Sequence, residues 1–458
     1  MVVLAGSAPA AAMDTADVDA FVDAELPDAG APGVAYTLVD GGDVATRFAG
    51  TLRQGGRPVS AETPFRLGSI TKSFTALAVM QLVEGGSVEL DAPVSTYLEG
   101  FAGGHSDDIT VLQLLNHTSG FSTVQGNRLQ GVEPTSVDRA AYATTLARLG
   151  PDHPPGTRWS YSNANYQVLG AVIEEVSGQS YSAYVTSHIL EPLEMSGSSV
   201  DGAGSTPPVG HRPWFGGMRA FEGSPSHPLD APAGGVTASA ADMARYLAMW
   251  LAPGDDLLSA DGKKQMMRPS SALSPHYGLG WSIDPHSGAV YHAGLVPGAE
   301  ALAWLEPDRG RAVVVMVNGN SGFGFSDASY LIGGVAALGM GEPHDDDGSR
   351  WGPRGLYLSI ALAPLLFGLL ALVSWRGAST LRAKRASGAG RFSLWFPLVA
   401  MSGLAWFLLR RLPGFFGGSL ETLQLYQPDF ALCLMATAIA GVGWAVVRLV
   451  VAYGKPAT

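Results

Sequence analysis

The chain has 458 residues, long for a single domain, and a formal net charge of −12. No basic stripe appears in residues 1–340, so nucleic acid is not an expected partner. A single cysteine, Cys433, excludes an internal disulfide or thiolate cluster, and the histidines lack His-x-x-x-His spacing, so no metal and no cofactor are expected.

Residues 1–13 run from Val2-Val3-Leu4-Ala5 to Ala8-Pro9-Ala10-Ala11-Ala12, a small-residue stretch like a cleavage site. With no basic residue ahead of it, the segment reads as a truncated signal peptide. An amphipathic helix is expected over 14–26. Strand-like runs 33–39 and 44–50 flank Asp40-Gly41-Gly42, which predicts a β-hairpin.

The stretch from Phe65 to Val83 is closed off by Thr63-Pro64 before it and Gly85-Gly86 after it, and reads as one buried helix. Ser69 then falls in the first turn, where free N–H groups and the helix dipole favour developing negative charge. Lys72 follows three residues later, on the same helical face. A cation in so apolar a helix is costly unless paired or neutralised. The chain has only five lysines, and Ser69-Ile70-Thr71-Lys72 is its one Ser-x-x-Lys.

Residues 111–120 predict a short helix ending at Asn116-His117-Thr118-Ser119-Gly120, with His117 expected to be structural rather than catalytic. A Pro-rich loop leads to Trp159-Ser160-Tyr161-Ser162-Asn163 and a helix over 168–176. The Gly-, Pro- and Ser-rich run 204–228 reads as a loop at the rim of a cleft. Ser239 is the expected N-cap of a helix ending near Leu251. Runs 277–283, 289–293, 299–305 and 311–318 predict successive antiparallel strands, turning at 285–288 and 307–310, and 326–338 a last helix. His292-Ala293-Gly294 ends one of those strands.

An acidic linker, 339–354, precedes three uncharged runs at 356–375, 392–409 and 430–447, each long enough to cross a bilayer. Arg376, Arg382, Lys384, Arg385 and Arg391 crowd the loop between the first two. By the positive-inside rule that loop is cytoplasmic, which puts residues 1–350 outside. The expected organisation is therefore a signal-peptide remnant at 1–13, a globular domain at 14–338, a linker, and a membrane domain at 355–450.

Taken in order, Ser69-Ile70-Thr71-Lys72, Tyr161-Ser162-Asn163 and His292-Ala293-Gly294 resemble the three motifs of the penicillin-recognising serine hydrolases. The nearest branches are the class C β-lactamases and the D-alanyl-D-alanine carboxypeptidase B-like enzymes. Residues 114–120, 233–242 and 277–281 resemble further landmarks of that group. The resemblance implies an α+β fold: an antiparallel sheet flanked by helices beside an all-helical region, with the site between them. It implies that Ser69 attacks a carbonyl to form an acyl-enzyme and that Tyr161 is the general base, kept as phenolate by Lys72. Asn163 is implied to hold Lys72 and the substrate amide. The N–H groups of Ser69 and of Leu295, next to Gly294, are the implied oxyanion hole.

One position departs from the pattern. Many members carry a lysine where this chain has His292, and an imidazole, with an ordinary pKa near 6.5, need not be charged at neutral pH. The expected function is thus an exported, membrane-anchored hydrolase of a small-molecule or peptide amide or ester, weak on carboxylate-bearing β-lactams. The alternative is a non-catalytic sensor that captures a β-lactam or cell-wall fragment.

Overall fold

The structure is a computed structural model, described here for residues 15–129, 138–201, 206–223, 227–323, 327–344 and 351–454. The expected signal-peptide remnant and the acidic run 345–347 of the linker lie outside the described residues.

The strands are β1 (Gly33–Asp40), β2 (Asp43–Gly50), β3 (Phe65–Arg66), β4 (Ser199–Val200), β5 (Gly210–Trp214), β6 (Gly217–Phe221), β7 (Val236–Ala238), β8 (Ser282–Ile283), β9 (Val290–Val296), β10 (Ala299–Glu306) and β11 (Arg311–Val317). The helices ahead of the C-terminal apolar runs are α1 (Ala16–Glu25), α2 (Thr71–Glu84), α3 (Val111–Leu115), α4 (Thr123–Gly126), α5 (Arg139–Leu149), α6 (Asn163–Ser177), α7 (Tyr181–Val185), α8 (Ala231–Gly234), α9 (Ala240–Leu251), α10 (Ala260–Met266) and α11 (Ala328–Gly339). An antiparallel sheet in the order β2-β1-β11-β10-β9-β8 anchors the fold, as the α+β expectation requires.

The hairpin β1–β2 turns at Gly41 and Gly42, both with positive φ, which glycine adopts without steric cost. Strand β11 is buried from Ala312 to Val317 because both of its faces are covered. Val313, Val315 and Val317 point into a core with Val18 and Val22 of α1 and Leu331 and Val335 of α11. Ala312, Val314 and Met316 point the other way, into the main core with Phe74 of α2, Tyr246 and Trp250 of α9, and Trp281. The period-2 alternation of one strand thus divides two cores.

Three expectations are corrected. Phe65 does not begin a helix: Phe65 and Arg66 pair with Ala238 and Thr237 of β7. Gly68 then takes φ +52, which no right-handed helix contains, so a 3₁₀ turn (Gly68–Ile70) intervenes and α2 starts at Thr71. Of the strand expected over 277–283, only Ser282 and Ile283 join the sheet. Gly280, at φ +78, instead brings this segment against α2, where a Cβ would lie 2.7 Å from Lys72 O and from Ala76 Cβ. The third is the 204–228 loop. It holds the β5–β6 hairpin, turned by Phe215 and Gly216 with positive φ, while 202–205 and 224–226 lie outside the described residues.

Two compact units are formed. Residues 212–219 and 322–323 group with the C-terminal helices, so no single cut in the sequence separates them. In the second unit, helices Trp351–Arg376, Gly388–Phe415 and Pro428–Tyr453 are long and apolar enough to cross a membrane. The first and third run parallel. Tyr357 OH donates to Asp429 Oδ2 at 2.7 Å, Thr437 Oγ1 to Ile360 O at 2.8 Å and Trp444 Nε1 to Ser374 Oγ at 3.2 Å. Within the same unit, the hairpin tip is tied down by Phe215 N to Asp429 Oδ2 at 3.0 Å and Arg212 Nη1 to Leu425 O at 2.6 Å.

Phe74 is fully buried and stacks on Tyr246 with ring centroids 3.9 Å apart, joining α2 to α9. Phe74→Ala is expected to cost about 3–5 kcal/mol. Chemical unfolding of the full chain in detergent, followed by tryptophan fluorescence, measures the loss, and a cost below about 1 kcal/mol would show that this stack does not join the helices.

Candidate active site

Ser69 sits half-buried in the 3₁₀ turn ahead of α2, and Lys72 lies in the first turn of α2 with no exposed surface. Lys72 Nζ is 3.2 Å from Ser69 Oγ, 2.7 Å from Asn163 Oδ1 and 2.8 Å from Ala233 O. Three elements thus converge on one nitrogen: α2, the first residue of α6, and α8. Burial pushes the Lys72 ammonium down to about 7, with Asp230 opposing the shift. Asp230 lies just ahead of α8. Its carboxyl is pushed up by burial, against a hydrogen bond that Gln167 Nε2 donates at 2.7 Å and against the charge of Lys72.

The Tyr161 phenol hydrogen-bonds with Ser69, and its ring centroid is 5.0 Å from Lys72 Nζ. Burial raises the phenol well above its ordinary value, the Ser69 hydrogen bond lowers it, and the negative charge of Asp230 adds to the rise. Burial thus opposes the phenolate of Tyr161 and the ammonium of Lys72 alike. Desolvation drives both groups toward their neutral forms.

Tyr161 is held from both sides in the chain. Thr123 Oγ1 donates to Tyr161 O at 2.6 Å, Ser160 N donates to His117 O at 2.9 Å, and Ser162 N donates to His117 Nδ1 at 3.2 Å. Asn165 Nδ2 also donates to that nitrogen, at 2.8 Å, so the imidazole proton sits on Nε2. His117 adopts φ +62, unusual for a non-glycine residue, and its ring lies 4.4 Å from that of Tyr161, centroid to centroid. It is a structural support, as the sequence suggested.

His292 is buried on β9. Its Nδ1 donates to Ala293 O at 2.8 Å and its Nε2 accepts from Tyr277 OH at 3.1 Å. Burial, aided by the charge of Lys72, holds it down to about 3, so it is neutral at physiological pH. Its ring stands 6.2 Å from that of Tyr161, centroid to centroid.

Gly294 and Leu295 meet the turn that carries Ser69. Val296 and Ala299 close a two-residue turn and form its hydrogen-bonded pair, so at the next pair, Leu295–Glu300, the Leu295 backbone points to the open edge of β9. A Cβ on Gly294 would lie 1.9 Å from Leu67 O, and one on Gly68 would lie 2.6 Å from Leu295 N. Two glycines therefore let the backbone of the Ser69 turn approach that of Gly294 and Leu295 closely. Sequence reasoning missed Asp230 and Gln167. The available signal was an acid in the otherwise apolar Leu229–Ala233, the same oddity that marked Lys72.

The sequence pattern of the beta-lactamase family matches residues 18–337. A protein named flp from Staphylococcus aureus (strain MW2) is 27% identical over 327 residues, covering 66% of this chain and 63% of the relative, so the chain spans less than two thirds of that protein. Among solved structures, the octameric penicillin-binding protein homologue from Pyrococcus abyssi superposes with a TM-score of 0.63 at 28% identity, over 72% of this chain and 78% of that one. A D-stereospecific amidohydrolase from Streptomyces sp. gives a TM-score of 0.57 at 28% identity, over 71% of this chain and 99% of that one. With its fold, its serine beside a buried lysine and a pattern match across most of its length, the chain belongs to the beta-lactamase family of serine hydrolases.

Proposed function

We propose that this protein is a membrane-anchored serine hydrolase that cleaves an amide or ester through an acyl-enzyme at Ser69. The observation that carries the reading is the buried Lys72 nitrogen, 3.2 Å from Ser69 Oγ and pushed toward its neutral form. A neutral amine at that distance is a competent general base. In this mechanism Lys72 takes the Ser69 proton as Oγ bonds to the substrate carbonyl carbon. The tetrahedral oxyanion is met by the N–H groups of Ser69 and Leu295. The Tyr161 phenol gives its proton to the leaving nitrogen or oxygen as that bond breaks, and the Lys72 ammonium returns a proton to Tyr161. Water then repeats the sequence on the ester, its proton passing to the same pair, and Ser69 leaves reprotonated. Asn163 holds Lys72 in place throughout.

The similarity to a D-stereospecific amidohydrolase supports an amide substrate with a D-configured residue. The neutral, buried His292 offers no cation to a substrate carboxylate, which argues against efficient turnover of carboxylate-bearing β-lactams. The three apolar helices act as the anchor. With five basic residues between the first two, the positive-inside rule puts that loop in the cytoplasm and the catalytic unit on the outer face.

The test is a time course of labelling by a fluorophosphonate and by a fluorescent penicillin, in wild type and Ser69→Ala. Penicillin label that forms at Ser69 and is then released marks turnover, whereas a permanent label marks a sensor. Lys72→Ala and Tyr161→Phe are each expected to slow acylation by at least about 10²-fold; near wild-type rates in either would remove its assigned role. Gly294→Ala, which drives β9 away from the Ser69 turn, is expected to lower the rate by about 10²–10³-fold.

The pH profile reports the titration of the Lys72–Tyr161 pair as a unit. If neutral Lys72 is the base, acylation falls about tenfold per unit below pH ~7 and stays level into the alkaline range, because burial keeps the Tyr161 proton on. A rate that stays level down to pH ~5 would remove this pair as the acceptor of the Ser69 proton. Benzylpenicillin hydrolysis is expected to be slow. Turnover comparable with an efficient β-lactamase would show that the His292 argument is wrong.

A further inference from the structure

One end of the C-terminal helical unit gathers cations and no acid. Arg376 ends the first long helix, Arg382, Lys384 and Arg385 follow it, Arg391 lies in the first turn of the second and Arg448 near the end of the third. Leu381, Leu394 and Ala452 pack into one small cluster, which brings these segments together. Between 351 and 454 the only acids are Glu421 and Asp429, and both sit near the start of the third helix, at the opposite end.

The cations converge. Lys384 Nζ donates to Ser393 Oγ at 3.1 Å and Arg448 Nη2 donates to Ser393 O at 3.2 Å, so two positive groups from distant parts of the chain meet on one residue. Arg448 lies over the Trp444 ring, 5.4 Å from its centroid, and Arg385 over that of Tyr453, at 5.9 Å. The Nε atoms of Arg382 and Arg448 are buried and make no hydrogen bond among the described residues. Like charges held this close, with donors unused, are stabilised by an anion. A guanidinium whose face rests on an aromatic ring still presents its edge to a phosphate.

We propose that Lys384 and Arg448, supported by Arg382, bind the phosphate headgroup of an anionic phospholipid at this end of the helices. The ligand chemistry is a phosphate diester carrying a single negative charge, and the reading commits to a lipid because the site lies where apolar helices give way to charged chain. It rests on the membrane-spanning reading of those helices and not on the hydrolase mechanism.

The test uses the full chain, purified in mild detergent and titrated with dioleoylphosphatidylglycerol or dioleoylphosphatidylcholine, with bound lipid counted by native mass spectrometry. Phosphatidylglycerol is expected to bind at least about tenfold more tightly than phosphatidylcholine, and Lys384→Gln/Arg448→Gln to abolish the difference. Arg410→Gln/Arg411→Gln, away from the cluster, should retain it. If the double variant does not survive purification, Lys384→Gln alone should still weaken phosphatidylglycerol binding several-fold, and Arg448→Lys should keep most of it. Equal binding of the two lipids overturns the proposal, as does a double variant that still discriminates. So does complete displacement of phosphatidylglycerol by millimolar inorganic phosphate, which would mark a site for a free anion. Fluorophosphonate labelling at Ser69 is read separately on the same variants, so failure of either reading leaves the other standing.

Discussion

Lys72 is a cation carried into the interior, and much of the first unit is arranged around the cost of putting it there. An ammonium in a dry pocket is disfavoured unless acceptors surround it or a proton leaves. Here Asn163 and a main-chain carbonyl of α8 supply acceptors, while Asp230 supplies a compensating charge through the low-dielectric interior. The compensation is incomplete, so burial still disfavours the charged form. A fully paired lysine would keep its proton, and a fully isolated one would be neutral at every useful pH. Lys72 lies between these limits, which is the condition the proposed base role requires.

The second constraint is the close approach of the Ser69 turn to β9. Two backbones meet there with a glycine on each side, and the hairpin register turns the Leu295 amide outward at the same place. The two N–H groups are fixed by main-chain geometry and depend on no side-chain rotamer. Tyr161 is positioned by similar means. The loop that bears it is pinned by His117 and Thr123.

Much of this was legible in the sequence, for identifiable reasons. Lys72 stood out because a charge in an apolar helix demands an explanation, and the alternating runs near the end of the first unit announced their strands. The boundaries of the Ser69 helix were not legible, because hydrophobic pattern cannot register the positive φ of Gly68. The β5–β6 hairpin was hidden in a run whose glycines and prolines mimic a plain loop. Asp230 was missed because its coupling to Lys72 acts across a long stretch of chain and leaves no local motif. The direction in which the pocket shifts Tyr161 and Lys72 also lay beyond sequence, since it depends on how deeply each is buried.

The order of the strands carries a consequence for synthesis. The first hairpin made, β1–β2, finds its neighbour only in the last strand, β11, with Val34 opposite Val317. A nascent chain must therefore expose the apolar face of that hairpin until almost the whole first unit has emerged, a long-range closure that is intrinsically slow. The first long apolar helix begins soon afterwards, at Trp351. Closure of the sheet thus falls in the same narrow interval of synthesis in which the first long apolar helix appears.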